Sequence, residues 1–334
     1  MIITRTPFRV SFFGGGTDYP GWFRKNGGSV LATSIDKYCY LTVRHLPPFF
    51  EHKHRIVYSQ IENAREVKEI KHPVVRALLD EYDSDKGFEI HHDGDLPARS
   101  GLGSSSAFTV GLIHALQALK GLRVTKRNLA DEAIRIEQDV LKENVGCQDQ
   151  VTTAFGGLNR IDFSDLNNFD VSPVMLPRER LEELQNSLVL CFSGLSRYSS
   201  DIAAEQIRNM SERKIELQTL HSMVDDAIDI LQNPNESLVR FGKLLHEGWL
   251  LKRSLSSSVS TAKIDQIYAA ARDAGAIGGK VLGAGGGGFM LFFVPPEKRV
   301  NLLSKLEGLT TLDFRFESGG SRVLVYEPDD MEHV

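Results

Sequence analysis

The chain has 334 residues, enough to bury a large core and to form two domains, and its composition is ordinary for a globular protein: 41% hydrophobic and 25% charged. With 39 basic against 44 acidic residues the formal net charge is −5, which argues against a general nucleic-acid or membrane-binding surface. Cys39, Cys147 and Cys191 are odd in number and far apart, which speaks against a disulfide framework and against a Cys-x-x-Cys metal site. No apolar run has the length of a membrane span, and the first residues lack a basic segment leading into an apolar one. The expected location is cytoplasmic.

In chain order, "IITRTPFRVSFFGG" alternates and is rich in β-branched and aromatic residues, which predicts a strand ending at Gly14. Residues 28–45 predict another strand, broken near its middle, and 88–92 a third. "GLGSSSAFTVGLIHAL" then opens a helix with Phe108, Leu112, Ala115, Leu116 and Leu119 on one stripe and Gly121 as its stop. "TKRNLADEAIRIEQDVLK" predicts a second helix with Thr125 as N-cap. A polar stretch over 164–186 reads as irregular and marks a domain boundary, giving units 1–170 and 171–334. "SLVLCFSG" reads as a buried strand, followed by helical pattern over 198–232, 237–256 and 261–274. "GGKVLGAGGGGFMLFFV" reads as strand, glycine turn, strand; "LDFRFESGGSRVLVYE" reads as a hairpin, with a frayed acidic tail after it. Without a regular βαβ alternation, the pattern favours an α+β architecture.

Three stretches are rich in glycine: "FFGGGTDYPGW", "GLGSSS" and "GAGGGGF". The last matches Gly-x-Gly-x-x-Gly at Gly283, Gly285 and Gly288, but a strand follows where a dinucleotide fold needs a helix. It reads as a tight turn or as backbone approaching a ligand. "GLGSSS" lacks the Lys-Ser or Lys-Thr of a Walker loop. Gly101 and Gly103 still allow positive φ, and the serines fall at a first helical turn, where orphan N–H groups and the helix dipole favour an anion. A serine-rich helix end with no ligand fits the same residues. Downstream, Glu137 lies on a helix, and Asp149 sits between Gly146 and Gly156 in a weakly charged stretch. Phosphoryl transfer needs a carboxylate near the attacking hydroxyl and another on the metal.

In this order the motifs "TPFRVSFFGGGTDYP", "LPARSGLGSSSAFTVG" and "KVLGAGGGGFMLF" resemble those of the GHMP kinases, spanning residues 6 to 293. The resemblance implies a two-domain GHMP kinase fold, with an N-terminal domain like domain 2 of ribosomal protein S5, a ferredoxin-like C-terminal domain and the active site between them. It implies ATP on Gly101, Leu102, Gly103, Ser104, Ser105 and Ser106, with Mg2+ on Ser105 (Ser104 and Ser106 staying open) and Glu137. "GCQDQ" resembles the element whose aspartate approaches the acceptor hydroxyl, which makes Asp149 the expected base. Arg9 stands where galactokinase-like members pair a basic residue with that aspartate; as a permanent cation it orients Asp149 and stabilises transferred charge. The implied sugar contacts are Asp18, Gly15, Gly16 and Thr17.

"GGGTDYPGWF" replaces the Gly-Glu-His of galactokinase and looks most like the subgroup acting on D-glycero-D-manno-heptose 7-phosphate at the anomeric C1 hydroxyl. A phosphorylated substrate needs cations. Arg197 is expected there, and Lys280 at the phosphate or the sugar, with Gly285 and Gly286 nearby; Lys252 and Arg253 fit solvated helix surface better. The expected partners are the sugar (phosphate) and ATP, without nucleic acid or membrane, and a homodimer is compatible. Two alternatives are a kinase for a free sugar such as L-fucose or galactose, and a non-catalytic sugar and ATP sensor. Retention of Arg9, Glu137 and Asp149 together argues against the sensor.

Overall fold

The first strands β1 (Ile2–Phe13) and β2 (Gly28–Leu46) run antiparallel along almost their whole lengths, joined through the short helix α1 (Pro20–Asn26). The computed structural model describes residues 1–82, 85–98, 100–164, 168–195 and 199–328. The predicted break in the second strand is a bulge in a continuous strand. Pro7 faces Tyr38 and Phe8 faces Ile35, so Asp36 and Lys37 loop out where Pro7 has no N–H to offer.

Next come the hairpin β3 (His54–Val57) and β4 (Ile61–Ala64), helix α2 (Pro73–Tyr82) and strand β5 (Gly87–Gly94). β5 pairs with the second half of β2 and, in parallel, with β3. Helix α3 (Ser104–Leu119) is buried over most of its circumference and ends at Lys120, with Gly121 at φ 72° as expected. Helix α4 (Lys126–Ile134) starts at Thr125, whose Oγ1 accepts the Asn128 N–H, and runs into a π-helical turn over Arg135–Val140. Helix α5 (Gln148–Phe155) precedes β6 (Leu158–Phe163), which pairs with the first half of β2 and with β7 (Phe169–Pro173).

β7 and α6 (Arg178–Asn186) occupy most of the stretch expected to be irregular; polar side chains are what an edge strand and a surface helix carry. Strand β8 (Leu188–Phe192) leads to helices α7 (Ser199–Asn209), α8 (Lys214–Gln232), α9 (Val239–Ser254) and α10 (Ala262–Asp273). Strands β9 (Gly278–Val281) and β10 (Phe289–Phe293) pair across the third glycine loop, followed by α11 (Arg299–Lys305). The C-terminal segment is not the expected hairpin. β11 (Thr311–Leu312) joins β8, β12 (Phe316–Glu317) joins β2, and β13 (Arg322–Tyr326) joins β1. Its alternating residues therefore find partners in strands already formed.

Two sheets result. The nine-stranded one runs β13-β1-β2-β5-β3-β4, with β12 and β6 also on β2 and β7 beyond β6; the four-stranded one runs β11-β8-β10-β9. With mixed helices and largely antiparallel sheets, the architecture is α+β, as expected. β8 and β10 are apolar at successive positions because both their faces are covered. Leu190 and Leu291 join the large core, while Val189, Met290 and Phe292 join a second cluster with Trp249 and Tyr268. Phe241 of α9 meets Phe12 and Phe13 of β1 edge-to-face, with ring centroids 5.5 and 5.1 Å apart, and so ties the helices of the second half to the first sheet. No helix among the described residues is long and apolar enough to cross a membrane.

Candidate active site

A cleft of about 470 Å³ lies where the end of β1, the start of α3, the start of α5 and the third glycine loop converge. Arg9 and Asp149 form its floor. Arg9, 2% exposed, donates through Nε to Asp149 Oδ1 at 2.8 Å and through Nη2 to Oδ2 at 2.7 Å, a bidentate pair. Its Nη1 donates to the Gly101 carbonyl at 2.5 Å. The guanidinium therefore links the acidic residue of α5 to the second glycine loop. Asp149 lies in the first turn of α5 and keeps a quarter of its side chain exposed to the cleft.

The Gly101–Ser106 turn has the geometry expected of it. Gly101 and Gly103 have φ of 78° and 72°, and no side chain caps α3, so the N–H groups of its first turn are left to whatever enters the cleft. Ser104, Ser105 and Ser106 all line the cleft, whereas Leu102 is buried, its carbonyl accepting the Arg9 N–H at 2.9 Å. The third loop packs on this turn so closely that a Cβ at Gly283 would lie 2.9 Å from Gly101 Cα.

Of the three serines it is Ser106, one of the two left open beside Ser105, that is hydrogen-bonded to Glu137. Ser106, buried on the inner face of α3, donates to Glu137 Oε2 at 3.0 Å, while Ser105 points outward one residue earlier on the helix. Gln150 Nε2 also donates to Glu137 Oε2, at 2.5 Å. Glu137 is fully buried in the π-helical turn; burial pushes its carboxyl up to about 7, the side chains of Thr109, Gln150 and Ser106 opposing the shift.

The loop after β1 approaches from the other side. Asp18 is buried, which raises its pKa, but Oδ1 accepts the Gly16 N–H at 2.9 Å and Oδ2 the Gln148 N–H at 3.3 Å. It lines the cleft with Gly15 and Gly16. A Cβ at Gly146 would meet Asp18 Oδ2 at 1.9 Å, so only glycine admits this approach. Thr17 departs from expectation: its hydroxyl shares its one proton between the Gly14 and Ser29 carbonyls and accepts the Ser29 N–H, which turns it away from the cleft to hold the loop on β2.

Lys280 lines the cleft and donates to the Phe12 carbonyl at 2.8 Å; its pKa is well below the ordinary value, first through burial and then through Lys252 and Arg9. Gly285 also lines the cleft, but Gly286 turns its N–H to the Val259 carbonyl. Arg197 lies outside the described residues. Lys252 corrects the sequence reading: it is buried in the cleft wall, whereas Arg253 pairs with Asp265 at the surface. The signal was present in the helical spacing, because Phe241, Leu245, Trp249 and Lys252 fall on one stripe of α9. Gln148 and Glu143 also line the cleft and carry no sequence signal that marks them.

A bidentate Arg–Asp pair facing a glycine-serine helix start across a cleft suits transfer of an anionic group to an acceptor. The chain matches the N-terminal domain of the GHMP kinases over residues 67–157 and their C-terminal domain over 226–308. It belongs to the GHMP kinase family. It is 32% identical over 335 residues to a D-glycero-alpha-D-manno-heptose 7-phosphate kinase of Campylobacter jejuni, with 96% of this chain and 97% of that one covered. In fold it is similar to a D-glycero-D-manno-heptose 1-phosphate kinase from Bacteroides thetaiotaomicron (TM-score 0.72, 24% identity, 98% and 100% covered). It is also similar to a galactose-bound galactokinase of Lactococcus lactis (TM-score 0.72, 20% identity, 97% and 95% covered).

Proposed function

We propose that this GHMP kinase uses ATP with Mg2+ to phosphorylate the anomeric C1 hydroxyl of D-glycero-D-manno-heptose 7-phosphate, giving the 1,7-bisphosphate. The observation that carries the reading is the Arg9–Asp149 pair set against the uncapped start of α3. The triphosphate lies on the Gly101–Ser106 turn, where N–H groups without side-chain cover meet its oxygens. Asp149, oriented by Arg9, accepts the proton of the C1 hydroxyl as that oxygen attacks the γ-phosphorus. Both carboxylate oxygens accept from the Arg9 guanidinium, which fixes their orientation toward the cleft, and most of the rate comes from positioning and electrostatics. Asp18 and the Gly15–Gly16 backbone hold the sugar; the carboxylate keeps acceptor capacity beyond its two N–H partners.

A hard divalent cation fits Glu137 and Ser106. Glu137 Oε1 accepts no hydrogen bond although it is buried, and both side chains offer oxygen. When bound, the cation neutralises phosphate charge. Glu137 and Gln150 hold the Ser106 side of α3 in place for it.

The test is ATP-dependent ADP release on D-glycero-D-manno-heptose 7-phosphate beside L-fucose, galactose and mannose. Turnover on the heptose phosphate alone is expected. Turnover on a free sugar only would discard the heptose assignment, and ATP binding without turnover on any sugar would favour a sensor.

A further inference from the structure

Lys252 of α9 and Lys280 of β9 are 8% and 7% exposed, and both line the cleft. Lys252 Nζ donates to the Val281 carbonyl at 3.0 Å and the Gly283 carbonyl at 2.5 Å; Lys280 Nζ donates to the Phe12 carbonyl at 2.8 Å. An ammonium carries three N–H donors, so protons on both remain to be satisfied. Among the described residues neither lysine forms an ion pair, whereas Arg9 beside them is matched by Asp149. The two lysines also share a side cavity of about 10 Å³ with Phe12, Phe13, Gly14 and Gly15, room for about one water. They stand where the Gly101 turn, through Gly283, meets the loop after β1. Two buried ammonium groups whose hydrogen bonds go only to carbonyls are costly, and an arriving anion lowers that cost.

We infer that Lys252 and Lys280 form a phosphate-binding pair distinct from the Gly101–Ser106 turn. This rests on the kinase reading above. The phosphate has two sources: a group carried by the acceptor, or the phosphoryl group in transfer. The charged groups facing the pair are Arg9 from β1, Asp18 from the loop after it and Asp149 from α5. Burial, helped by Arg9, pulls Lys252 down to about 7 and Lys280 well below its ordinary value. Phosphate favours the charged forms, so its binding takes up protons near neutral pH and weakens as the pH rises above about 7.

The test compares wild type with Lys252→Met and Lys280→Met on D-glycero-D-manno-heptose 7-phosphate and on the unphosphorylated heptose. If the acceptor supplies the phosphate, KM for the sugar phosphate rises roughly tenfold to a hundredfold, and by a several-fold smaller factor for the free heptose. If the transferred phosphoryl group is held, kcat falls by about the same factor on both acceptors and KM holds. Calorimetric titration of inorganic phosphate in two buffers of different ionisation enthalpy reads the same pair without turnover. Proton uptake is expected in wild type and should shrink in each variant. Wild-type kinetics in both variants, with phosphate binding that takes up no protons, would overturn the inference. Lys252→Arg and Lys280→Arg keep the charge and should retain phosphate binding if the methionine variants unfold; loss of binding in folded arginine variants would count against the pair. Silence of the wild type on every sugar, with phosphate proton uptake intact, would instead remove the kinase reading and leave the lysine site standing.

Discussion

Arg9 commits all three of its side-chain nitrogens, two to Asp149 and one to the Gly101 carbonyl, so the acceptor side and the phosphate turn share one rigid cation. Asp149→Asn keeps the size of the side chain and removes its charge. Turnover should fall by roughly 10²–10³-fold with KM for ATP within about threefold of wild type. Steady-state kinetics with ATP and sugar varied separately check this, and unchanged turnover would remove Asp149 as the base. The serines separate by the face of the helix each occupies. Ser106→Ala should weaken Mg2+-nucleotide binding several-fold, because it strips the hydroxyl beside Glu137, and Ser105→Ala should be close to wild type. Nucleotide titrations at several Mg2+ concentrations distinguish them; equal effects, or a larger one at Ser105, would reverse the assignment.

At the scale of the element, the site is made by helix starts and by chain passing close to chain. Gly146 leads into α5 and lies against Asp18, which in turn accepts the Gln148 N–H at that helix's first residue. Gly146→Ala should displace Asp18 or the start of α5, costing on the order of 1–3 kcal/mol of stability and raising KM for the sugar. A denaturant melt and a sugar titration read both effects, and a variant with wild-type values in both would show that the contact yields freely. The strand before Gly14, the helix after Gly103, the Thr125 cap and the β9–β10 pair were legible in the sequence because each is written in local periodicity or capping chemistry. The π-helical turn was not: "RIEQDV" has an ordinary helical composition, and only tertiary packing selects the wider turn. The C-terminal strands misled for a related reason. Alternation shows that 322–326 is a strand but not which strand it joins, and its partner is β1, the first strand of the chain. In the candidate site, Glu137 and Asp149 stand out by residue type and setting, and Arg9 only through motif resemblance. Lys252 was misjudged because a lysine on an apolar stripe looks like the edge of a solvated face until burial is known.

At the scale of the whole molecule, two sheets and the helices between them enclose buried charge that folding must carry. Lys252 has its pKa lowered from 10.5 to about 7, so the stability it contributes is present above 10.5 and is lost as the pH falls through about 7. Glu137 has its pKa raised from 4.5 to about 7, so its contribution is present below 4.5 and is lost as the pH rises through about 7. Both groups therefore strain the ligand-free protein most near neutrality. Thermal melts across pH should show wild type gaining on Lys252→Met as the pH rises from 7 to 10.5; a difference that does not change with pH would show that the lysine is not strained by burial. The hydroxyl that receives the phosphate decides the proposed reaction most directly. Incubation with ATP, Mg2+ and D-glycero-D-manno-heptose 7-phosphate, followed by phosphorus NMR, should give a second sugar phosphate resonance coupled to the anomeric proton. A new phosphate on any other hydroxyl, or ATP consumed with no new sugar phosphate, would contradict it.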